Sequence, residues 1–350
     1  MIILLDAMGG DNAPEATIKG AVQASSEVAS STEIWLIGDE KIIREKVKEY
    51  YNKDLEKLAP NIKIYHASES IEMEDIPTVA IRRKKDSSMV VGFNLLKEGK
   101  GDVFISAGNS GALLTGATLI VGRIRGVDRP ALAGILPNAN GKRLVLMDCG
   151  SNTNCKPINL LQFAQMSTIY IRDALKIEKP AIGLLNIGTE ETKGNELIKD
   201  SYKLLKEYSE PLDINFVGNV EGRDAFSGKI DAIIADGFTG NIFLKTVEGM
   251  GKFIKGSLMG NLKKNIWTKI CAIPSLPALN KFKKEMNYKE YGGALFLGVK
   301  QPVVKAHGSS DDYLFRFTIK QAEEFVNNKT VEKLTEQFEI SNQKAEDIIE

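Results

Sequence analysis

Two segments of this chain share a spacing of glycine and hydroxyl residues that suits the binding of an anion. They read SAGNSG (106–111) and ADGFTGN (235–241), and each places Gly-x-Ser/Thr-Gly between an apolar run and a predicted helix start. Backbone N–H groups, a hydroxyl and the positive end of a helix meet in such a loop, which favours phosphate. One copy also fits an ordinary helix cap, but two copies favour the phosphate site. The predicted substrate contacts in these loops are Ser106, Gly108, Asn109, Ser110, Gly111, Asp236, Gly237, Thr239, Gly240 and Asn241.

Two other loops offer groups of the same kind. The segment DAMGGD (6–11) contributes Asp6, Gly9 and Gly10, whose glycines permit a tight turn with exposed N–H groups. It lacks the GxGxxG pattern, so a dinucleotide fold is not predicted. The segment LNIGTEETKGN (185–195) contributes Asn186, Gly188 and Lys193. Lys193 stands near a predicted helix start, where a cation is unfavourable unless an anionic ligand is bound.

Polar residues also follow two more apolar runs. Asp148 and Asn152 come after the run that ends at Met147, and KAHGSSD (305–311) contains His307 and Ser309. His307 either positions phosphate or acts as a base, or it is a structural histidine beside a serine cap. The residues themselves leave these alternatives open.

The residue types limit the chemistry. The chain has no GxSxG segment, only two histidines and no CxxC pair, which argues against a serine nucleophile and against a metal centre. What remains suits a nucleophile that is already ionised, such as inorganic phosphate, and a thiolate leaving group, whose pKa is roughly 8.5. Positioning and oriented donors can then perform acyl transfer without a covalent intermediate. The residues are compatible with this chemistry but do not select it alone.

Short apolar runs alternate with longer amphipathic segments along the chain. The amphipathic segments include 16–29, 113–121, 160–175, 196–208 and 313–326, which we predict to be helices. This alternation predicts βαβ units and a mainly parallel sheet covered on both faces, with ligands bound outside the carboxyl ends of the strands. The predicted strands are Ile2–Leu5, Ile34–Ile37, Ile62–Tyr65, Val103–Ile105, Leu132–Leu136, Leu144–Met147, Ile182–Leu185, Ile214–Val217 and Ala232–Ala235.

Composition narrows the class of protein. The 46 basic and 46 acidic residues balance, so nucleic acid is not expected as a partner. Three cysteines (Cys149, Cys155 and Cys271) without a pairing pattern favour a reducing compartment. The amino terminus lacks a basic region before its short apolar run, and about 18 consecutive uncharged apolar residues occur nowhere. We therefore expect a cytoplasmic protein.

At these loops the chain resembles the acyl-ACP:phosphate acyltransferase family of bacterial phospholipid synthesis. The matching stretches are DAMGGD (6–11), RRKKDSSM (82–89), SAGNSGAL (106–113), GLLNIGTEETKGNE (183–196), NFVGNVEGRD (215–224), DGFTGNIFLKT (236–246) and KAHGSSD (305–311). The chain departs from the family at Cys149 and Ser151, where valine and alanine are more familiar.

The resemblance implies a three-layer α/β/α fold related to isopropylmalate dehydrogenases and phosphotransacetylases. It implies a homodimer that converts acyl-ACP and inorganic phosphate to acyl phosphate and free acyl-carrier protein, without a metal or organic cofactor. The acyl phosphate then feeds a membrane glycerol-3-phosphate acyltransferase. By position, Lys193 and Asn241 are expected to contact phosphate and the acyl carbonyl, and Asp236, Ser106 and Asn109 to shape the site.

A basic segment stands apart from the rest of the chain. Residues 252–289 contain nine lysines and one acid, Glu285, with apolar residues at a spacing of four. This pattern predicts an amphipathic helical insert, at 252–290, in an α/β domain of residues 1–327, before a polar terminal helix at 328–350. The insert is interpreted as a dimer arm whose tip touches an anionic membrane through Lys263, Lys264, Trp267 and Lys269. Docking of the acidic carrier protein is an alternative, for which Arg82–Lys85 compete.

Three other functions remain as alternatives. An NAD-dependent decarboxylating dehydrogenase on the same fold would need a metal-binding carboxylate cluster, which the sequence does not offer. A short-chain phosphotransacetylase would use acyl-CoA instead of acyl-ACP. A non-catalytic membrane scaffold for lipid enzymes would give no acyl phosphate.

Overall fold

A computed structural model describes residues 1–268, 274–285 and 292–349. The strands are β1 Ile2–Asp6, β2 Glu33–Gly38, β3 Ile62–His66, β4 Val103–Ser106, β5 Ala131–Pro137, β6 Arg143–Met147, β7 Ile182–Asn186, β8 Phe216–Glu221, β9 Ala232–Ile234, β10 Ala294–Leu297 and β11 Val303–Lys305. The helices are α1 Glu15–Ser25, α2 Glu40–Tyr51, α3 Leu55–Leu58, α4 Pro77–Arg83, α5 Ser88–Lys97, α6 Ser110–Gly116, α7 Pro157–Leu175, α8 Glu196–Tyr208, α9 Gly237–Leu262, α10 Leu276–Glu285, α11 Asp312–Asn327 and α12 Thr330–Ile349. A π-helical turn, Ala117–Val121, continues α6, and a 3₁₀ turn, Ala139–Gly141, joins β5 to β6.

The described strands form one sheet in the order β3-β2-β1-β4-β11-β10-β5-β6-β9-β7-β8. Most neighbours are parallel, and only the pairs β11–β10, β10–β5 and β5–β6 are antiparallel. Alternate residues of each strand point to opposite faces, so that Leu5 and Leu4 join separate buried clusters. Helices α1, α2, α7, α8, α11 and α12 cover one face, and α4, α5, α6 and α9 cover the other. The three-layer α/β/α fold with a mainly parallel sheet is confirmed.

One expectation about the sheet was wrong. The strand-end loops were expected to open at one common edge, but the β5–β6 hairpin reverses the chain direction in mid-sheet. Strands β1–β4 and β11 therefore run one way, while β6, β9, β7 and β8 run the other. Loops that follow β1 and β4 consequently leave the sheet at the edge opposite to loops that follow β6, β7 and β9.

The sequence pattern located most strands but not the central ones. The strand predicted at 214–217 begins at Phe216 instead, because Asp213 takes a positive φ of 52° in the turn that precedes it. Strands β10 and β11 were not predicted. They have four and three residues, and antiparallel neighbours on at least one side, so no long apolar run or βαβ spacing marks them.

The basic segment begins inside a long helix. Helix α9 spans 26 residues, of which only Gly237, Gly240 and Glu248 are buried. Trp267 lies beyond its end and is 74% exposed. Lys269 falls outside the described residues. At the carboxyl end of the chain, the first turns of α12 bury Val331, Leu334 and Phe338.

Candidate active site

A cavity of about 460 Å³ lies between the antiparallel centre of the sheet and α9. The floor of the cavity is formed by three adjacent strands, β11, β10 and β5. Lys305 of β11 pairs with Ala294 of β10, and the register between β10 and β5 places Gly134 opposite Ala294. Its roof is the first turns of α9, which contribute Asn241, Lys245 and Glu248. Because α9 starts at one edge of the sheet and passes over the floor, groups from both edges reach this cavity.

The loops after β1 and β4 lock together through a buried carboxylate. Asp6 accepts a 2.6 Å hydrogen bond from the Ser106 hydroxyl, which in turn accepts one from the Gly108 amide. A Cβ on Gly9 would lie 2.5 Å from the Asp6 carboxylate, so only glycine fits there. Burial raises the pKa of Asp6, although the Ser106 hydroxyl and other donors oppose this. Asp6 and Ser106 thus fix the loops, and neither side chain is among the residues that line the cavity.

Asn109 and Ser110 have different tasks at the start of α6. The Asn109 side chain caps the helix by accepting from the Ala112 amide, and it donates to three carbonyls of residues 72–75. Ser110 lines the cavity. The amides of Ser110 and Gly111 precede the first intrahelical hydrogen bond, and no hydrogen bond within the described part of the chain uses them. This loop therefore retains donors for an anion.

The loop after β9 was predicted to be an equivalent anion cradle, and its geometry contradicts this. The Asp236 carboxylate accepts from the amides of Phe238 and Thr239 and from the Thr239 hydroxyl, so it occupies the helix terminus itself. The Gly237 amide donates to Asn152, and the Gly240 amide donates to the Asp236 carbonyl. A carboxylate thus fills the place that phosphate was expected to take. The group that reaches the cavity is Asn241, which stands beside Gly150.

Asp148 organises the loop after β6. Its fully buried carboxylate accepts hydrogen bonds from the amides of Gly150, Ser151 and Asn152 and from the Ser151 hydroxyl. A Cβ on Gly240 would overlap the Asp148 carbonyl oxygen, so α9 can start here only with glycine at that position. These contacts hold Asn241 above the cavity.

Lys305 is the most unusual group in the cavity. Its ammonium lies 3.4 Å from the Ala306 carbonyl, and among the described residues no carboxylate lies within ion-pair distance. Burial lowers the pKa of Lys305 below its usual value of 10.5. A partly buried cation without a counter-ion is unfavourable, and an anionic ligand in the cavity would reduce that cost.

Beside Lys305, Lys245 and Glu248 of α9 meet His307. The Lys245 ammonium lies 2.9 Å from the Glu248 carboxylate and 2.7 Å from Nε2 of His307. Burial disfavours ionisation of Glu248, but the neighbouring His307 ring and the hydrogen bond from Lys245 outweigh it and lower its pKa to about 2. Glu248 is therefore a permanent anion at neutral pH, and it holds the two groups in place.

The contacts of His307 favour two different tautomers. The Lys245 ammonium can only donate, so the 2.7 Å contact needs Nε2 as an acceptor. In that tautomer the proton sits on Nδ1, where the Ser309 hydroxyl at 2.9 Å can accept it. The Ser309 amide also lies 3.1 Å from Nδ1 and would favour the other tautomer. Both His307 and Ser309 line the cavity.

Cys149 also lines the cavity but is unsuited to act as a nucleophile. Burial raises the pKa of its thiol to about 12. The thiol therefore stays protonated at neutral pH. Cys149 serves as an apolar part of the wall, next to Gly134.

The loop after β7 lies apart from the cavity. The Asn186 side chain donates to the Lys193 carbonyl, and Gly188 packs against the Lys193 side chain. Lys193 itself is exposed. None of these three residues is among those that line the cavity, so the arrangement does not bring them together with Ser110, Asn241 and His307.

Several residues that line the cavity were not predicted from the sequence to be site residues. Asp11 and Lys305 stand inside segments that the resemblance highlighted, but neither was chosen as a site residue. The sequence could have indicated Lys305 as a candidate, since it directly follows the apolar pair Val303-Val304 and so stands at the end of a possible strand. Lys245 and Glu248 gave none, because charged residues three apart on a helix usually form a solvated ion pair.

The described residues contain neither a metal-binding cluster nor a membrane-spanning helix. No group of three or more His, Cys, Asp or Glu residues has the arrangement of a metal site there. No helix in that part of the chain is long and apolar enough to cross a membrane.

Comparison with known proteins gives the family. A model described as fatty acid synthesis protein matches residues 1–333. A phosphate acyltransferase of Acetivibrio thermocellus is 51% identical over 99% of both chains. One from Thermoanaerobacter pseudethanolicus is 46% identical over 97% of this chain and 98% of its own. The chain belongs to this family of acyltransferases, which confirms the recognition and the enzyme class predicted from the sequence.

Solved structures support the fold. A phosphotransacetylase from Streptococcus pyogenes superimposes with a TM-score of 0.59 over 93% of this chain and 94% of its own, at 16% identity. A phosphotransacetylase from Staphylococcus aureus gives 0.56 over 92% and 93%, at 15% identity. At such low identity the likeness concerns the fold alone.

Proposed function

We propose that this chain is a phosphate acyltransferase that transfers a fatty acyl group from a thioester to inorganic phosphate in the central cavity. The observation that carries the proposal is Lys305, a half-buried ammonium in the cavity without a carboxylate partner among the described residues. Bound phosphate, or the oxyanion of the reacting carbonyl, would supply the missing negative charge. The curated relatives bear the name of this activity over nearly the whole chain.

The reaction needs few catalytic groups. A phosphate oxygen attacks the thioester carbonyl carbon, the carbon–sulfur bond breaks, and the sulfur leaves as a thiolate that takes a proton from water. Phosphate is already ionised and the thiolate is a good leaving group, so neither strong base nor strong acid is required. Lys305 and Asn241 are proposed to stabilise the oxyanion and phosphate, and Ser110, His307 and Ser309 to orient phosphate. One oxyanion donor is typically worth about 10²–10³ in kcat.

The acyl chain needs an apolar surface. Leu132, Leu136 and Leu244 line the cavity beside its polar groups. We propose that they receive the part of the chain next to the thioester. Burial of each methylene contributes about 0.8 kcal/mol, so a few of them make a large difference in affinity.

Acyl-ACP is proposed as the donor, and the acyl phosphate is proposed to serve phospholipid synthesis in the cytoplasm through a membrane glycerol-3-phosphate acyltransferase. The description of the family as a fatty acid synthesis protein supports this donor. Acyl-CoA is the alternative donor.

Mass spectrometry of acyl-ACP incubated with phosphate and this protein tests the proposal directly. An acyl phosphate is expected, and arsenate in place of phosphate is expected to release free carrier protein. A parallel reaction with acyl-CoA separates the two donors. No acyl phosphate from either donor would leave the scaffold alternative.

A homodimer and a membrane contact are proposed for the exposed helix. Helix α9 presents Ile242, Met250 and Phe253 to solvent, which suits a second copy of the chain. Lys263, Lys264 and Trp267 beyond them suit an anionic lipid surface. Charge reversal at Lys263, Lys264 and Lys269 should release the protein from anionic liposomes while sparing turnover in solution. Unchanged liposome binding would remove the lipid proposal, and analytical ultracentrifugation tests the dimer.

A further inference from the structure

An exposed stripe on α4 combines apolar and cationic side chains. Ile76, which caps the helix, and Val79 are 66% and 41% exposed, and Arg82 and Arg83 follow one turn later. Residues 76, 79 and 83 are spaced by three and four positions, so they share one face of the helix. Both arginines are exposed, and within the described residues no carboxylate pairs with either guanidinium.

Hydrogen bonds and packing connect this stripe to the loop that lines the cavity. Asn109 donates to the carbonyls of Glu72, Met73 and Asp75, which lie immediately before α4. Gly111 leaves room for Pro77, the first residue of α4, because a Cβ at Gly111 would lie 2.6 Å from its ring. Met73 is 47% exposed and also lines the cavity. The stripe and the cavity therefore share a wall.

We propose that Met73, Ile76, Val79, Arg82 and Arg83 form the docking surface for an acidic carrier protein that delivers the acyl thioester. This inference rests on the proposed function. Unpaired guanidinium groups attract an acidic partner over a distance, and the neighbouring apolar side chains provide contact once it arrives. A transient complex of this kind suits a carrier that must leave after each turnover.

Other charges nearby restrict the surface. Lys84 is already paired with Asp75 at 2.5 Å, and Glu72 and Glu74 are exposed on the loop before the helix. The attraction therefore comes from the carboxyl end of α4 and not from the whole segment. An acyl-CoA donor has no protein surface, so it would gain nothing from the apolar stripe.

The test compares two donors with the same acyl chain at saturating phosphate. In Arg82→Glu/Arg83→Glu the KM for acyl-ACP should rise about tenfold or more at low salt, while kcat stays within about twofold and the KM for acyl-CoA, which has phosphates but no protein surface, rises much less. Salt should weaken the acyl-ACP reaction of the unaltered protein and have little effect on the variant. Ile76→Ser/Val79→Ser should raise the same KM without changing the salt dependence. The matched control, Lys48→Glu/Lys53→Glu, reverses two exposed lysines in α2 and the turn after it, on the opposite face of the sheet, and should change the KM for neither donor.

Other results of this experiment would overturn either the docking surface or the proposed function. Equal KM changes for both donors, or no change for acyl-ACP, would overturn the docking surface. Loss of the dimer in the arginine variant, measured by light scattering, would assign the stripe to a second copy of the chain and also overturn it. If the unaltered protein uses acyl-CoA but not acyl-ACP, the docking proposal fails and acyl transfer to phosphate stands. If it uses neither donor, the proposed function itself fails.

Discussion

Replacement of Lys305 by methionine tests the reasoning about the cavity most directly. The change removes the charge but keeps a long side chain in the β11 position. A hydrogen bond to a charged group is worth about 1.5–3 kcal/mol, which corresponds to a loss of about 10- to 150-fold in kcat/KM for phosphate. Acyl phosphate formation at subsaturating phosphate measures this loss. Lys229→Met, at an exposed lysine outside the cavity, is the matched control and should keep full activity.

The same variant should fold at least as stably as the unaltered protein. Burial lowers the pKa of Lys305, so between that pKa and 10.5 the unfolded chain binds more protons than the folded one. The free energy of unfolding contributed by this group therefore rises with pH in that window. The stability advantage of Lys305→Met should be largest below the lowered pKa and should shrink as pH approaches 10.5. Denaturant titrations of both proteins across this range measure the difference.

Activity should show the opposite pH trend. Phosphate binding requires the charged ammonium, so the KM for phosphate should rise as pH passes through the lowered pKa of Lys305. Two results would refute the reasoning. One is a variant with normal kcat/KM for phosphate. The other is a variant that loses about 2 kcal/mol or more of stability, since Lys305 would then interact with a partner in the folded protein and would not be reserved for an anionic ligand.

Three other changes address separate parts of the site. Glu248→Gln should abolish a stabilising contribution that is present above about pH 4.5 and is lost as pH falls towards about 2, which acid unfolding followed by circular dichroism would detect. Lys193→Ala should change stability little, because the side chain is exposed. The family resemblance predicts a large loss of turnover, whereas the position of Lys193 apart from the cavity predicts a small one, and near-normal turnover in a steady-state assay would retire Lys193 as a phosphate contact. Gly240→Ala should destabilise the protein by about 2 kcal/mol or more through the overlap with Asp148, and an unchanged midpoint in urea would contradict that packing.

The strand-end loops were recognisable from the sequence because of their composition. Glycine, small hydroxyl residues and an acid or amide after an apolar run are required wherever a strand turns tightly into a helix. The same composition serves two purposes, however. In the loop after β4 the helix amides stay open towards the cavity, whereas in the loop after β9 the Asp236 carboxylate fills them. Which of the two occurs depends on side-chain direction, which spacing does not reveal.

The sequence by itself determined the α/β class, nine of the strands and the family, because apolar runs, turn residues and long specific segments are local features of the chain. Only the tertiary structure decided which loops meet. The β5–β6 hairpin reverses half of the sheet, so Lys193 lies apart from the cavity while Asn241 is carried over it by α9. Lys305 became a candidate for the same reason, since a lysine is ordinary in a sequence and becomes unusual only when packing half-buries it in a cavity without a counter-ion.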